Sequence, residues 1–248
     1  MQSIQLIILA AGHGKRMGNN NLSKILLPFK EKPIIKHLLE AVSRTKLFPK
    51  PVIVVGQKAN QVKKVLGSNY EYVYQKEQLG TGHAVLCCRK LLENKYLNIL
   101  VLYGDHPLLT AKSITKIVRT HLKSNSTLTM ATVEIGDFND WRKTFLQWGR
   151  IIRDKNKHLK EIVEIKDANE VQKKITEVNP SFFCFDAPWL WKNLKMIKNS
   201  NAAKEYYLTD LLKLAVDQKE KISTVKINPQ EAYGINTIEQ LQKAQTFT

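Results

Sequence analysis

The sequence is poor in cysteine, with three in 248 residues, and their positions exclude two common roles. Cys87 and Cys88 are adjacent in one apolar stretch and Cys184 lies in another, so neither metal-site spacing nor a disulfide framework is present. Long apolar runs are also absent. The first run, residues 4–9, is too short for a bilayer span or a signal peptide. We therefore expect a cytoplasmic protein with reduced, buried cysteines and no membrane segment.

Acidic residues are scarce beside basic ones. The 22 Asp and Glu against 39 Lys and Arg give a formal net charge of +17 at pH 7. Such a charge is compatible with nucleic acid, a membrane surface or an anionic small molecule as the partner. The basic residues are scattered rather than gathered in blocks, and pairs such as Lys63-Lys64 are typical of solvated faces. We therefore expect no nucleic-acid partner and no membrane partner.

Two common phosphate-binding motifs are missing as well. The nucleoside-triphosphatase loop GxxxxGK[ST] is absent, and the dinucleotide fingerprint GxGxxG fails because Met17 stands where its third glycine belongs. A Ser/His/Asp nucleophile set is not seen either. Any glycine-containing loop in this chain must therefore be interpreted from its own residues rather than from a known motif.

The N-terminus does contain an apolar strand that runs directly into a small, cationic, glycine-containing loop. Residues 4–9 are typical of a parallel strand buried on both faces, and ligands in such sheets bind beyond the carboxyl end of the strand. Residues 10–12 have almost no side chain, so backbone N–H groups can approach a nucleotide, while Lys15 and Arg16 add positive charge. The pattern indicates anion binding; the alternative is a tight turn beside a solvated basic patch.

Apolar strands alternate with segments of helical spacing over the first half of the chain. Strands are predicted over residues 52–55, 70–74, 99–103 and 128–133, and helices over residues 34–45, 59–66, 82–92 and 113–122. Strict alternation implies a parallel sheet with right-handed crossovers. After about residue 134 the pattern loosens, with predicted strands at 150–152, 159–165, 182–185 and 223–227 and helices at 188–197 and 205–216. We expect an α/β, Rossmann-like fold with a mostly parallel central sheet flanked by helices and a smaller, sugar-binding β subregion.

A second polar cluster follows the predicted strand 70–74. Gly80 and Gly82 let the backbone approach a ligand, and the Gln75 amide offers a donor and an acceptor, which suits a nucleobase edge. Thr81 either caps the next helix or bonds a ligand. Taken alone, the cluster is more typical of a capped turn with a surface glutamine.

A third cluster ends the predicted strand 99–103. An Asp at this place in an open α/β sheet suits Mg²⁺, which prefers one or two carboxylates together with substrate phosphates. Asp105 is thus the leading metal ligand, and His106 is expected beside the site rather than in the chemistry. The alternative is an ordinary Gly-Asp-x-Pro turn.

The second half of the chain carries polar residues that suit a sugar. Glu164, Asn179 and Thr209 have groups that bond hydroxyls and an amide, although each is also typical of a solvated face or a cap. Asn236 has a similar alternative, because Glu239 three residues later would complete a capping box for the last helix.

In this order and spacing, the segments resemble the sugar nucleotidyltransferases, most closely the uridyltransferase domain of bacterial N-acetylglucosamine-1-phosphate uridyltransferase. The resemblance covers nearly the whole chain. The motifs that carry it are Leu9-Ala-Ala-Gly-His-Gly-Lys-Arg16-Met, Lys24 in Leu22-Ser-Lys-Ile, Gln75 with Glu77-Gln-Leu-Gly-Thr-Gly-His-Ala84, Tyr103-Gly-Asp105, Gly149-Arg150, Ile162-Val-Glu164 with Lys166-Asp-Ala168, Asn179, Glu205-Tyr-Tyr-Leu-Thr-Asp210 and Gly234-Ile-Asn236.

The resemblance implies a role for each of these positions. The nucleotide would be held by Leu9, Ala10, Ala11, Gly12, Gly14, Gln75, Gly80 and Thr81. Arg16 and Lys24 would contact the phosphates as the catalytic cations, and Asp105 and Asn236 would hold Mg²⁺. The acceptor sugar phosphate and the ribose would lie along Tyr103, Gly104, Gly149, Glu164, Asn179, Tyr207 and Thr209.

The implied reaction joins UTP and N-acetylglucosamine 1-phosphate to give UDP-N-acetylglucosamine and pyrophosphate. A sugar phosphate is already an anionic nucleophile, so attack on the α-phosphorus needs alignment and charge neutralisation rather than a strong base. In one domain of 248 residues, residues 1–134 would mainly bind the nucleotide, residues 135–236 the sugar phosphate, and residues 237–248 would form a closing helix. The alternatives are a related nucleotidyltransferase for another sugar or alditol phosphate, and a nucleotide-sugar-binding protein without turnover.

The sequence departs from the family pattern in three places. Lys15 replaces the usual threonine of the loop. Asn179-Pro180-Ser181 replaces Asn-Thr-Gly, which removes a backbone donor and a glycine near the expected sugar pocket and leaves the exact acceptor open. The sequence also ends where the bifunctional enzyme would continue into a left-handed β-helix, so we expect the acetyltransferase half to be absent. Because that β-helix builds the family's trimer, the oligomeric state is not carried over.

Overall fold

The computed structural model describes residues 2–12, 14, 17 and 22–247. The strands are β1 Gln2–Ala10, β2 Pro28–Phe29, β3 Lys32–Pro33, β4 Val52–Val55, β5 Glu71–Tyr74, β6 Tyr96–Tyr103, β7 Leu128–Glu134, β8 Arg150–Arg153, β9 Leu159–Val163, β10 Glu177–Val178, β11 Phe183–Asp186 and β12 Ile222–Lys226. The helices are α1 Ile34–Thr45, α2 Ala59–Leu66, α3 Thr81–Leu86, α4 Arg89–Leu92, α5 Ala111–Ser124, α6 Glu170–Lys173, α7 Ala187–Asn193, α8 Asp210–Asp217 and α9 Ile238–Gln245. Two 3₁₀ helices cover Lys24–Leu26 and Asp140–Gln147.

The strands outside the β2–β3 hairpin form one mixed sheet in the order β5-β4-β1-β6-β11-β7-β10-β8-β9, with β12 beside β7. Strands β5, β4, β1 and β6 pair in parallel, and β12 pairs in parallel with β7. Strand β11 lies antiparallel between β6 and β7. The predicted α/β fold with helices on a central sheet is therefore confirmed, and the second half of the chain contributes β11 and β12 to that sheet.

Strand β7 joins the central sheet to a smaller β region. Residues 128–130 of β7 pair with β11 in the central sheet. Farther along, Val133 and Glu134 pair with β10, which leads through β8 to β9. This antiparallel extension brings the second half of the chain next to the carboxyl ends of the parallel strands.

Strand β1 is buried on both faces, as its continuous apolar run predicts. Leu6 and Ile8 pack into one cluster with residues of α1, whereas Ile7 and Leu9 face a second cluster that includes Val85 of α3. All of these strand residues are less than a tenth exposed. Because β1 lies between β4 and β6, its carboxyl end is flanked by the loops that follow these two parallel strands.

The helices differ in detail from the sequence prediction. The predicted helix over residues 82–92 is divided into α3 and α4, and α8 begins at Asp210 rather than at residue 205. Cys87, Cys88 and Cys184 are free thiols, and burial raises the pKa of each. None of the helices formed by the described residues is both long enough and apolar enough to cross a bilayer.

Candidate active site

A pocket of about 310 Å³ opens at the carboxyl end of β1. The register pairs Leu9 with Val54 of β4 on one side and with Tyr103 of β6 on the other. Parallel strands that end together bring their following loops to one edge of the sheet. The predicted site residues that line this pocket are Leu9, Ala10, Ala11, Gly12, Lys24, Gln75, Gly80, Thr81, Tyr103 and Asp105. Segments distant in sequence are thereby brought to one place.

The loop after β1 lies at the mouth of this pocket. Gly12 is exposed, and a Cβ placed there would meet nothing within 4 Å. Gly14 has a φ of +66° and lies so close to Lys24 that a Cβ would be 3.0 Å from the Lys24 Cβ. Lys15 and the predicted catalytic residue Arg16 lie outside the described residues. Gly14 thus brings the loop against the 3₁₀ helix that carries Lys24.

Lys24 and Asp105 line the pocket and meet Asn236, which does not belong to its lining. The Lys24 ammonium donates to Asp105 Oδ2 at 2.6 Å and to Asn236 Oδ1 at 2.7 Å. Burial alone would raise the pKa of the Asp105 carboxyl, but Lys24 and the neighbouring His106 hold that pKa well below its usual range. Asp105 is therefore an anion, and its Oδ2 contacts the same ammonium group as the amide oxygen of Asn236.

His106 is a buried neighbour of Asp105. Its Nδ1 lies 2.9 Å from Asp105 Oδ1, and its ring packs edge-on against Tyr103, Trp148 and Phe182. This packing holds the imidazole against Asp105 Oδ1, whereas Lys24 Nζ contacts Oδ2. The two groups therefore contact different oxygens of the carboxylate. The geometry suits orientation of the carboxylate.

The capping-box interpretation of Asn236 with Glu239 is wrong by one residue. The cap of α9 is Thr237, whose hydroxyl accepts from the Gln240 N–H while the Gln240 side chain accepts from the Thr237 N–H. Asn236 precedes the cap and directs its side chain to Lys24 instead. The sequence pattern could not separate these registers, because Asn and Thr both cap helices.

Gln75 is a buried residue, which corrects the interpretation as a surface glutamine. Its side chain is 3% exposed, its Nε2 donates to the Gly80 carbonyl at 3.1 Å, and the same nitrogen lies 3.1 Å from His83 Nδ1. Gly80 has a φ of +109°, and a Cβ there would lie 2.6 Å from the Tyr206 carbonyl oxygen. The turn before α3 therefore depends on glycine for both its backbone angle and its close approach to Tyr206.

Thr81 makes a long-range contact rather than a helix cap. The cap position of α3 is Gly80, which has no side chain to offer. The Thr81 hydroxyl accepts from the Leu208 N–H at 3.0 Å, and it also bonds the Tyr103 side chain. Thr81 thus connects the turn before α3 to the segment that precedes α8.

Asn179 is engaged at both ends of its amide by Ser181. Asn179 Oδ1 accepts from the Ser181 N–H at 2.9 Å, and Asn179 Nδ2 donates to Ser181 Oγ at 3.1 Å. Ser181 has a φ of +63°, which is unusual for a residue with a side chain, and its hydroxyl also bonds Tyr103. Ser181, which stands where the family pattern has a glycine, therefore takes part in hydrogen bonds with both Asn179 and Tyr103.

The half-buried Glu164 and the buried Thr209 form a hydrogen-bonded pair beside Gly149. Thr209 Oγ1 donates to Glu164 Oε1 at 2.9 Å, and a Cβ at Gly149 would lie 3.4 Å from the Glu164 carboxyl carbon. Burial raises the pKa of Glu164, and burial together with nearby carboxylates raises that of Tyr207 to about 12. Both groups therefore ionise at a higher pH than usual, and the Tyr207 hydroxyl keeps its proton at neutral pH and can donate it in a hydrogen bond.

Of the predicted acceptor-side residues, Tyr103 lines the pocket and the others do not. Gly104 is buried, and its N–H donates to the Leu9 carbonyl at 3.0 Å. Those that do not line the pocket among the described residues are Gly104, Gly149, Glu164, Asn179, Tyr207 and Thr209. Four residues that sequence reasoning did not assign also line it, namely the apolar Ile25 and Ala84 and the polar Gln78 and Glu205. All four belong to the motifs that carry the family resemblance, but nothing in their local pattern separates a pocket residue from any other residue of the motif.

The sequence model of the MobA-like NTP transferase domain matches residues 6–176. This match includes the loop after β1, Lys24, the turn before α3 and Asp105. The chain belongs to the MobA-like NTP transferase family. Its resemblance to nucleotidyltransferases, recognised from the motifs, is thereby confirmed.

Curated relatives of this NTP transferase chain include two proteins named bifunctional protein GlmU. The one from Brevibacillus brevis is 36% identical over 248 residues, which are 100% of this chain and 52% of the relative. The one from Thermoanaerobacter pseudethanolicus is 38% identical over 245 residues, which are 99% of this chain and 51% of the relative. The chain spans about half the length of these relatives.

Solved structures of two nucleotidyltransferases share the fold. A UDP-glucose pyrophosphorylase complexed with UDP-glucose superposes with a TM-score of 0.73 at 20% identity, covering 99% of this chain and 97% of the other. A putative glucose-1-phosphate thymidylyltransferase from Bacillus anthracis gives a TM-score of 0.75 at 18% identity, with coverage of 99% and 97%. At these identities the likeness concerns the fold, which agrees with the mixed sheet and flanking helices described above.

Proposed function

We propose that this NTP transferase chain catalyses Mg²⁺-dependent transfer of UMP from UTP to N-acetylglucosamine 1-phosphate, with release of pyrophosphate. The observation that carries the proposal is the convergence of Lys24, Asp105 and Asn236 at the end of β1. One cationic and two oxygen-donor side chains at a single point are what a magnesium nucleotide requires. The relatives named GlmU support the choice of the uridyl group and of the N-acetylated sugar.

The donor set suits Mg²⁺. A carboxylate and an amide oxygen are hard ligands, and Mg²⁺ usually takes one or two protein groups while phosphates and water fill its octahedron. Among the described residues no cluster of three or more His, Cys, Asp or Glu is placed to hold a metal. A site completed by the substrate therefore fits this chain better than a metal cage built by protein alone. When bound, the ion would neutralise charge on the α-phosphate and on the leaving pyrophosphate.

The nucleotide fits the side of the pocket formed by β1 and the turn before α3. Ala10, Ala11 and Gly12 leave backbone N–H groups accessible for the phosphates, and Lys24 supplies a cation beside them. Gln75 lies behind the turn, where its amide fixes the Gly80 carbonyl. We assign the base to this turn and the triphosphate to the region between Gly12 and Lys24. Arg16 keeps the phosphate-contacting role that the family resemblance implies.

The acceptor sugar phosphate fits the opposite side, toward β8 and β9. The Glu164–Thr209 pair and Tyr207 provide hydrogen-bonding groups for hydroxyls. Gly149 leaves space beside Glu164, because a Cβ there would touch the carboxyl carbon at 3.4 Å and would lie only 2.9 Å from Ile162 Cγ2. The phosphate of the acceptor attacks the α-phosphorus in line with the leaving pyrophosphate. Alignment and neutralisation of negative charge carry this step, and the nucleophile needs no strong base.

A second candidate is transfer to another sugar or alditol phosphate. It is favoured by the Asn179–Ser181 bonds, which occupy both ends of the Asn179 amide that the family resemblance assigns to the ligand. One N–H of Nδ2 and one lone pair of Oδ1 are left for a ligand, unless the ligand displaces Ser181. The identity of the acceptor therefore needs a direct measurement.

The test is pyrophosphate release with Mg²⁺, comparing UTP with the other nucleoside triphosphates. Each is paired with N-acetylglucosamine 1-phosphate, glucosamine 1-phosphate, glucose 1-phosphate or an alditol phosphate. We expect turnover confined to UTP with the N-acetylated sugar. Turnover with another pair supports the second candidate, whereas tight UTP binding without turnover for any pair contradicts catalysis and indicates a nucleotide-binding protein.

A further inference from the structure

We propose that Gln240 is a positioning residue that holds Asn236 toward Lys24 and the metal site. Gln240 Oε1 accepts from the Asn236 N–H at 2.6 Å and from the Thr237 N–H at 3.0 Å. Gln240 Nε2 donates to Thr144 Oγ1 at 2.6 Å. The inference rests on the proposed function, because the role of Asn236 as a metal ligand is part of that proposal.

The segment that carries Asn236 is anchored on both sides. Before it, the Ile235 N–H donates to the backbone carbonyl of Asp105 at 2.9 Å, which couples the backbones of the two assigned metal ligands. At Asn236 and after it, Gln240 bonds two successive N–H groups. With the backbone fixed at these points, the Asn236 side chain has a defined direction toward Lys24. Loss of Gln240 would free the backbone N–H of Asn236 itself.

Gln240 is in turn oriented from outside its own helix. Thr144 lies in the 3₁₀ helix Asp140–Gln147. The fully buried Arg150 holds this helix by donating to the carbonyl of Phe145 at 3.1 Å and to that of Leu146 at 3.2 Å. The Gln240 side chain therefore connects the 3₁₀ helix, which Arg150 holds in place, to the backbone of Asn236. Outer contacts of this type orient metal ligands in proteins.

If Gln240 only stabilised helix α9, removing it would have the same effect on metal binding as removing a capping-box glutamine elsewhere in the chain. Gln240 completes a capping box for α9, and Gln172 completes the same box for α6 by accepting from the Asn169 N–H at 2.9 Å. Helix α6 contains no assigned site residue. Gln172→Ala is therefore a matched control that removes a capping-box glutamine without touching the candidate site.

The experiment measures Mn²⁺ affinity in the presence of saturating UTP and without acceptor, from the water-proton relaxation of the bound ion, with protein-free Mn²⁺ and UTP as the reference. We expect Gln240→Ala to weaken Mn²⁺ binding about 10-fold, the low end of the range for outer-shell substitutions. UTP affinity without metal should stay within about twofold, as should the Mn²⁺ affinity of Gln172→Ala. Thr144→Val, which keeps the capping box, should weaken Mn²⁺ binding in the same direction and remains informative if Gln240→Ala does not fold.

Asn236→Ala separates failure of this inference from failure of the proposed function. If Asn236→Ala loses Mn²⁺ affinity while Gln240→Ala and Thr144→Val bind as the wild type does, the positioning role is overturned and the metal site stands. An equal loss in Gln172→Ala and Gln240→Ala would also overturn it, because the effect would then be one of helix stability. If Asn236→Ala itself binds Mn²⁺ normally, the metal assignment within the proposed function is wrong.

Discussion

Lys24 Nζ lies 2.6 Å from Asp105 Oδ2, so a lysine ammonium already bonds the carboxylate that we assign to Mg²⁺. The same nitrogen bonds the second assigned ligand, Asn236. Both partners of the ion pair are largely buried, with side chains 12% and 14% exposed. In this arrangement the lysine keeps the two oxygens together, and it must move toward the phosphates before an ion can use them.

Lys24→Met is therefore expected to have opposite effects on metal binding and on turnover. Without nucleotide, removal of the competing ammonium should tighten Mn²⁺ binding about 10-fold, while loss of a phosphate contact should lower kcat at least 100-fold. Direct Mn²⁺ titration and pyrophosphate release measure the two effects. Lys32→Met is the control, because Lys32 pairs with Glu40 on the surface and should leave both quantities unchanged. Unchanged Mn²⁺ affinity in Lys24→Met would show that the lysine does not compete with the ion.

Gly80→Ala tests whether the turn before α3 depends on a close approach. A φ of +109° strains any residue with a side chain, and here the added Cβ would also lie 2.6 Å from the Tyr206 carbonyl oxygen. We expect a loss of about 2–4 kcal/mol in the free energy of unfolding and weaker UTP binding. Urea denaturation and UTP titration measure these effects.

Gly67→Ala is the control for Gly80→Ala. Gly67 also has a positive φ, of +76°, but a Cβ there would meet nothing within 4 Å. It should lose only about 1 kcal/mol of stability through backbone strain and keep its UTP affinity. Equal losses in the two variants would mean that the contact with Tyr206 contributes nothing beyond the backbone angle.

Features of the site that depend on residues close together in sequence could be predicted, whereas features that depend on contacts between distant segments could not. A buried parallel strand needs a continuous apolar run, so β1 and the polar residues at its carboxyl end can be recognised locally. The insertion of β11 between β6 and β7 could not, because the pattern of one strand does not specify its neighbours or their direction. The roles assigned to the site residues and the division of the chain into nucleotide and sugar regions stay predictions.

Single-residue detail was the least predictable. Asn236 and Thr237 are both good capping residues, and only the contact of Asn236 with Lys24, far away in sequence, separates them. Gln75 illustrates the same limit, since a glutamine in a turn is usually exposed but here bonds the Gly80 carbonyl. Such side chains take their place from tertiary contacts that local propensity does not contain.

Asp210 gives the protein a pH-dependent stability term. Burial, with a contribution from Asp167, raises the pKa of its carboxyl from 3.8 to about 6. The native state therefore holds this proton more tightly than the unfolded state. Its contribution to stability is fully present below about pH 4 and is lost as the pH rises through about 6.

Asp210→Asn should accordingly flatten the fall in unfolding free energy between about pH 4 and 6, by an amount on the order of 1 kcal/mol after allowance for solvent screening. Urea denaturation across this range measures the slope. Asp217→Asn, at the exposed end of the same helix, should leave the slope as in the wild type. A wild-type slope in Asp210→Asn would contradict the raised pKa.

Ser181→Gly tests whether the bonds around Asn179 set the choice of acceptor. The substitution removes the hydroxyl that accepts from Asn179 Nδ2 and bonds Tyr103, while glycine adopts the φ of +63° without strain. We expect stability to rise by about 0.5 kcal/mol or to stay unchanged. Because the Asn179 amide gains a free donor, KM should fall severalfold for the acceptor that this amide contacts, with little change in the KM for UTP.

The measurement is KM for each sugar phosphate of the panel, with Lys157→Gly as the control for relief of a positive φ. Lys157 has a φ of +64° in an exposed turn between β8 and β9, so its replacement should affect stability alone. If Ser181→Gly lowers the KM for N-acetylglucosamine 1-phosphate alone, Ser181 restricts this acceptor in the wild type. If the variant lowers the KM for another acceptor alone, the second candidate reaction is favoured. Equal KM values for wild type and Ser181→Gly across the panel would mean that Ser181 acts only behind Tyr103, and acceptor choice would then rest on Glu164, Tyr207 and Thr209.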